Sequence, residues 1–117
     1  MSAQQAPRPA RPVRGSRTGR PIMALLDVLG QRWTMRIMWE LHGHAPLPFN
    51  ALQKRCDGMS SSVLSQRLGV LQDARLAVAD ADGYRLTTLG TELVEHLLPL
   101  VSWSERWAAE LDESSQA

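Results

Sequence analysis

Between residues 50 and 70 the chain gathers side chains that hydrogen-bond well but have no arrangement for catalysis. Ser60, Ser61, Ser62, Ser65 and Gln66 stand close together, with Arg67 after them and Lys54 and Arg55 before. A serine hydroxyl donates and accepts, and a glutamine carboxamide offers both functions side by side, which is the pattern that matches the edge of adenine. Arginine and lysine at the flanks suit phosphates, and Arg85 further on suits a phosphate or a minor groove. The plainer reading of each is a solvated face with ordinary surface charges. Three consecutive serines without a placed histidine or aspartate are not a triad, and there is no glycine-rich phosphate loop and no pair of catalytic carboxylates. An enzyme is not expected. Glu40, His42, His44 and Cys56 superficially imitate a metal site, but neither a metal nor a cofactor is expected.

Those side chains need elements to hold them. Order is expected to begin at Pro21, a good first-turn residue, with Ile22, Leu25, Leu26 and Leu29 at helical spacing and Gly30 as a stop. A second helix is predicted at roughly 32–42, with Trp33, Ile37, Met38 and Leu41 on one face. Phe49, Leu52 and Cys56 mark a short third helix closed by Asp57-Gly58, which puts Cys56 on an apolar side as a small buried residue rather than a sensor thiol. Ser60 is the expected cap of a fourth helix, about 61–74, with Val63, Leu64, Leu68 and Leu71 inward and Ser61, Ser62, Ser65 and Gln66 outward. Leu76–Ala79 and Tyr84–Thr87 read as strands around an Asp80-Ala81-Asp82-Gly83 turn. Thr87 or Thr88 caps a last helix, which Pro99 is expected to kink or divide.

A short helix, a glycine-containing turn, a helix with a polar outer face and then a hairpin make a winged helix-turn-helix. The fold class is mainly α with one small β-hairpin. A helix about 10–12 Å across fits the major groove when its outer face carries hydrogen-bonding groups.

Composition narrows the setting. The chain has 117 residues, enough for one domain with a thin core. Its single cysteine excludes an intrachain disulfide and fits a reducing compartment. No run of apolar residues is long enough to span a membrane. The net charge of +1 conceals an asymmetry: residues 1–20 carry five arginines and no acid, whereas the remainder has eight basic residues against twelve acidic ones. Residues 1–20 are expected to be a disordered Arg/Pro-rich arm, residues 21–113 the domain, and 114–117 a disordered end. An arm with arginine at every third position is read either as a minor-groove contact or as a solubilising tail.

Four stretches resemble the HxlR family of bacterial winged helix-turn-helix regulators, within the MarR-like superfamily: Leu26-Asp27-Val28-Leu29-Gly30-Gln31-Arg32-Trp33-Thr34, Phe49-Asn50-Ala51-Leu52, Ser60 to Leu71, and Leu86-Thr87-Thr88-Leu89-Gly90 followed by a helix with Pro99 and Trp107. MarR-type regulators themselves are normally longer. The resemblance implies a cytoplasmic, nucleoid-associated transcriptional regulator that binds double-stranded DNA as a homodimer, reads an inverted repeat and leaves room for a small-molecule effector. It also implies a two-fold interface from the first and last helices, placing Ile22 there. Three departures stand out. Members often carry Cys-Pro before the first helix and sense oxidants through it, whereas this chain has Arg20-Pro21. The wing is short, with two acidic residues, and the long arm lies outside the family pattern.

The last helix has more apolar surface than one small domain covers. Leu100, Trp103, Trp107 and Leu111 recur at three- and four-residue spacing, with Leu97 a turn earlier, and such a stripe calls for a second copy. The plainer alternative folds the two tryptophans back on the first helix. The competing function is a winged helix that docks another protein without touching DNA. A positive or neutral face on the fourth helix favours DNA; a negative one favours protein.

Overall fold

The computed structural model describes residues 20–116. The expected arm lies outside the described residues apart from Arg20, as does Ala117. Along the chain run α1 (Pro21–Leu29), α2 (Thr34–His44), α3 (Phe49–Arg55), α4 (Ser61–Asp73), β1 (Ala77–Asp80), β2 (Gly83–Leu86) and α5 (Thr88–Gln116). Helices dominate, and the strands form one antiparallel hairpin pairing Ala77 with Leu86 and Asp80 with Gly83.

The apolar spacing in α2, α3 and α4 does what it should. Ile37, Met38, Leu52, Leu64 and Leu71 converge and are completely removed from solvent. Full burial of each such side chain is worth about 1.5–3 kcal/mol. Val28 and Leu29 close the core from α1, and Val94 closes it from α5. Ile22 and Leu26, in register with them by periodicity, stay exposed.

The wing leans on the body through one extra bridge. Leu47 exchanges both backbone hydrogen bonds with Tyr84, at 3.0 and 2.8 Å. The approach is close enough that a Cβ on Gly83 would sit 2.5 Å from the Leu47 carbonyl, and Gly83 has φ +129°. Glycine is the residue that fits there. The strands end one residue later and begin one residue earlier than the spacing predicted, so only Ala81 and Asp82 join them.

Two expectations are corrected. Trp33 is not inside α2. It precedes the helix in a left-handed conformation, φ 77°, and α2 starts at Thr34. Apolar periodicity counts Trp33 as helical because its side chain packs on the core, but its backbone belongs to the α1–α2 turn. Of the two effects expected of Pro99, division of the last helix does not occur: α5 is continuous from Thr88 to Gln116. Proline removes one N–H and leaves the carbonyl four residues earlier unpaired; both Pro99 and Glu95 are exposed, so water can satisfy it.

Candidate nucleic-acid interface

α4 is built to present one face outward. The Ser60 hydroxyl accepts from the Val63 N–H at 3.2 Å, capping the helix as its position suggested. Leu64, Leu68 and Leu71 are buried, and that fixes the rotation. Ser61, Ser62, Ser65 and Gln66 are exposed, as is Gln72 further along. No acidic residue occurs in α4 before Asp73 at its end. The N-terminal turn therefore combines hydroxyls, unpaired backbone N–H groups and the positive end of the helix dipole.

The turn that delivers α4 is held by side chains from elsewhere. Asp57 and Gly58 both have positive φ, 60° and 70°. Gln53 Nε2 donates to the Met59 carbonyl at 2.8 Å. From α2, Arg36 donates to Asp57 Oδ2 at 3.1 Å, to the Arg55 carbonyl at 2.6 Å and to Glu40 Oε2 at 3.0 Å. The Glu40 hydrogen bond and the neighbouring Asp57 charge hold the Arg36 guanidinium still more firmly protonated than usual, against the pull of partial burial. The Arg36–Glu40 pair joins residues one helical turn apart, whereas the reach of Arg36 to the α3–α4 turn is long-range in sequence.

The four cations expected to face DNA divide into two kinds. Lys54 is exposed and has no ion pair among the described residues. The other three already have partners. Arg55 lies 3.6 Å from Glu40. Arg85 is paired with Asp80, its diagonal neighbour on the same face of the hairpin. Arg67 turns back: its Nε donates to the Arg32 carbonyl at 2.7 Å and its Nη1 to Gln66 Oε1 at 2.9 Å. Arg32 was not singled out by the sequence. It comes to the α4 surface because the left-handed Trp33 shapes the turn, and its guanidinium lies 5.1 Å from the Trp33 ring centroid.

The remaining candidates belong to another face. Ile22, Leu100, Trp103, Trp107 and Leu111 are all half exposed or more, and Leu97 is partly buried. Trp103 and Trp107 stack with centroids 6.0 Å apart and planes 10° apart. They do not fold back on the body, since every residue from 98 to 113 is exposed. Between α2 and α5 runs an apolar groove of about 360 Å³ walled by Met35, Trp39, Val94, Leu97, Leu100 and Val101.

The model of the HxlR-like helix-turn-helix family matches residues 28–112, most of the chain. The chain belongs to this family. An uncharacterized HTH-type transcriptional regulator of Methanocaldococcus jannaschii is 28% identical over 89 residues, which cover 73% of this chain and 83% of that protein. A solved structure of a possible HxlR family transcriptional factor from Thermoplasma volcanium superposes with a TM-score of 0.65 at 27% identity, covering 77% of this chain and 86% of the other. Quinone-bound YodB from B. subtilis superposes with a TM-score of 0.68 at 24% identity over 73% of this chain and 96% of its own, a likeness of fold. As an HxlR-like protein the chain is a DNA-binding transcriptional regulator and not an enzyme. Among the described residues of this HxlR-like chain no helix is long and apolar enough to cross a membrane.

Proposed function

We propose that this HxlR-like protein is a homodimeric regulator, acting in the cytoplasm at the nucleoid, that reads an inverted repeat in double-stranded DNA with α4. The observation that carries this is the outer face of α4: Ser61, Ser62, Ser65 and Gln66 exposed together on a capped helix whose rotation the core fixes. The absence of an acid on that face before Asp73 favours DNA over a basic protein partner, which would seek a negative face. In this reading Ser60 and the first turn of α4 contact a phosphate, Lys54 contacts a second, and Gln66 reads a base. Arg55, Arg67 and Arg85 reach phosphate in this reading either with the guanidinium donors that their present contacts leave free or by releasing Glu40, Arg32 and Asp80.

The second copy is supported by the exposed stripe of α5, by Ile22 on α1, and by the groove that shares Leu97 and Leu100 with that stripe. The quinone of YodB is that protein's; here Arg20 precedes Pro21 and the single thiol is buried, so no effector chemistry is transferred. The test is a titration of purified protein against a selected duplex and a scrambled one. Gln66→Ala should cost roughly 1–3 kcal/mol on the selected duplex and little on the scrambled one. Equal loss on both would mean that Gln66 reads no base.

A further inference from the structure

The outer face of α4 contains one contact whose chemistry has a direction. Arg67 donates from Nη1 to Gln66 Oε1 at 2.9 Å. A guanidinium has five donors and no acceptor, so the end of the carboxamide that faces it must be the oxygen. The other end, Nε2, has no partner among the described residues. We propose that Arg67 is a positioning residue that turns the Gln66 carboxamide so that its two N–H donors face the DNA, giving this protein a preference for guanine over adenine at that position. The proposal rests on the reading of Gln66 as a base contact.

The base edges differ in a way that makes this decisive. Adenine presents N7 as an acceptor and its N6 amino group as a donor in the major groove, so a glutamine reads it with both oxygen and nitrogen. Guanine presents N7 and O6, both acceptors. An amide whose oxygen is already held by Arg67 and whose amino group points outward fits the second edge and loses one of two bonds on the first. The nearby guanidinium charge adds to the preference for an edge made only of acceptors.

The orientation is imposed from outside α4. Arg67 is itself anchored by Nε on the Arg32 carbonyl at 2.7 Å, 35 residues earlier in the chain. That carbonyl lies in the α1–α2 turn beside Trp33, whose backbone is left-handed and whose ring carries the Arg32 guanidinium. Left-handed tryptophan is uncommon and is retained where surroundings over-determine it. Charge-assisted hydrogen bonds at both ends of Arg67 are about twice as strong as neutral ones. The turn thus holds the arginine, and the arginine holds the amide.

The test is selection of bound sequences from random duplex DNA with the full-length wild type, Gln66→Ala and Arg67→Met. One position in each half-site should favour guanine over adenine by roughly tenfold in the wild type. That position should lose its preference in Gln66→Ala. In Arg67→Met, which keeps most of the apolar stem and removes the donors, adenine should rise to match guanine there while the other positions keep their preferences. A wild-type preference for adenine at the Gln66-dependent position overturns the proposal, and this arm does not require the Arg67 variant to fold. An unchanged guanine preference in a folded Arg67→Met protein, its fold checked by melting temperature, also overturns it. If Gln66→Ala alters no position, the base-reading role of Gln66 fails and this proposal fails with it. If Gln66→Ala does alter one position but the orientation arms fail, the base-reading role stands without it.

Discussion

Burial decides what Cys56 can do. It is fully removed from solvent at the end of α3, and desolvation pushes its thiol above the ordinary range, with the Arg36 charge opposing by less. A raised pKa leaves less thiolate at neutral pH, and the thiolate is the species oxidants attack. Diamide or hydrogen peroxide should therefore leave DNA binding unchanged. Cys56→Ser should bind as the wild type does but melt lower, since a hydroxyl in an apolar site costs about 1–3 kcal/mol. Reversible oxidative loss of binding that Cys56→Ser abolishes would contradict this. A second buried side chain makes the opposite case. Thr34 is completely buried at the start of α2 and its hydroxyl has no hydrogen-bond partner among the described residues. Thr34→Val keeps the shape and removes the unsatisfied group, so its stability should equal or exceed that of the wild type by up to about 1 kcal/mol, seen as an equal or higher melting temperature. A clear fall in melting temperature would reveal a partner for that hydroxyl.

At the scale of elements, the wing and the start of α5 are fixed by contacts that leave little room. A Cβ on Gly90 would lie 2.1 Å from the Leu76 carbonyl oxygen, backbone against backbone. Gly90→Ala should cost roughly 1–3 kcal/mol, seen as a lower urea midpoint at unchanged slope. The wing tip makes a different test. Asp80 holds Arg85 and also accepts from the Asp82 N–H at 2.9 Å. Asp80→Ala releases a cation and removes an acid from a surface that the proposed mode of binding brings near the duplex, so binding should tighten modestly on selected and scrambled DNA alike. Weaker binding would show that the wing needs its ion pair to reach DNA. Local signals made most of these elements legible: Pro21 at a helix start, Ser60 as a cap, leucine spacing for the rotation of α4, and the Asp80–Gly83 turn. Thr87 rather than Thr88 proves to be the cap of α5, accepting from the Gly90 N–H at 3.0 Å. The illegible part was long-range and polar. Nothing in the spacing connects Arg67 with the Arg32 carbonyl or Arg36 with Asp57, because a side chain reaching a distant backbone atom leaves no periodicity. The left-handed Trp33 was hidden for a related reason, since its apolar side chain imitates the helical pattern that its backbone breaks.

At the scale of the whole molecule the question is what covers α5. Its 29 residues make a rod of roughly 43 Å at about 1.5 Å per residue, and the half beyond Pro99 touches little of its own chain. Helices in water are held mainly by packing of an apolar face, and this half carries Leu100, Trp103, Trp107 and Leu111 each about half exposed. A second copy meeting the first about a two-fold axis would cover the same stripe on both chains, which a self-complementary interface requires. The same axis would place the two α4 helices on one side of the dimer, about 34 Å apart, one turn of duplex and the spacing of an inverted repeat. Removing the stripe should therefore act on three observables together. Trp103→Ala combined with Trp107→Ala should weaken the dimer by 2 kcal/mol or more, about thirtyfold, as truncation of central aromatic anchors does. Light scattering should then report a monomer at micromolar concentration where the wild type is a dimer. Circular dichroism should show lost helix, since the outer half of α5 no longer packs. The salt slope of DNA binding should fall to about half, because a single subunit neutralises half the phosphates. A monomeric wild type at micromolar concentration, or a double variant that stays dimeric with its salt slope intact, would place the dimer contact elsewhere or remove it.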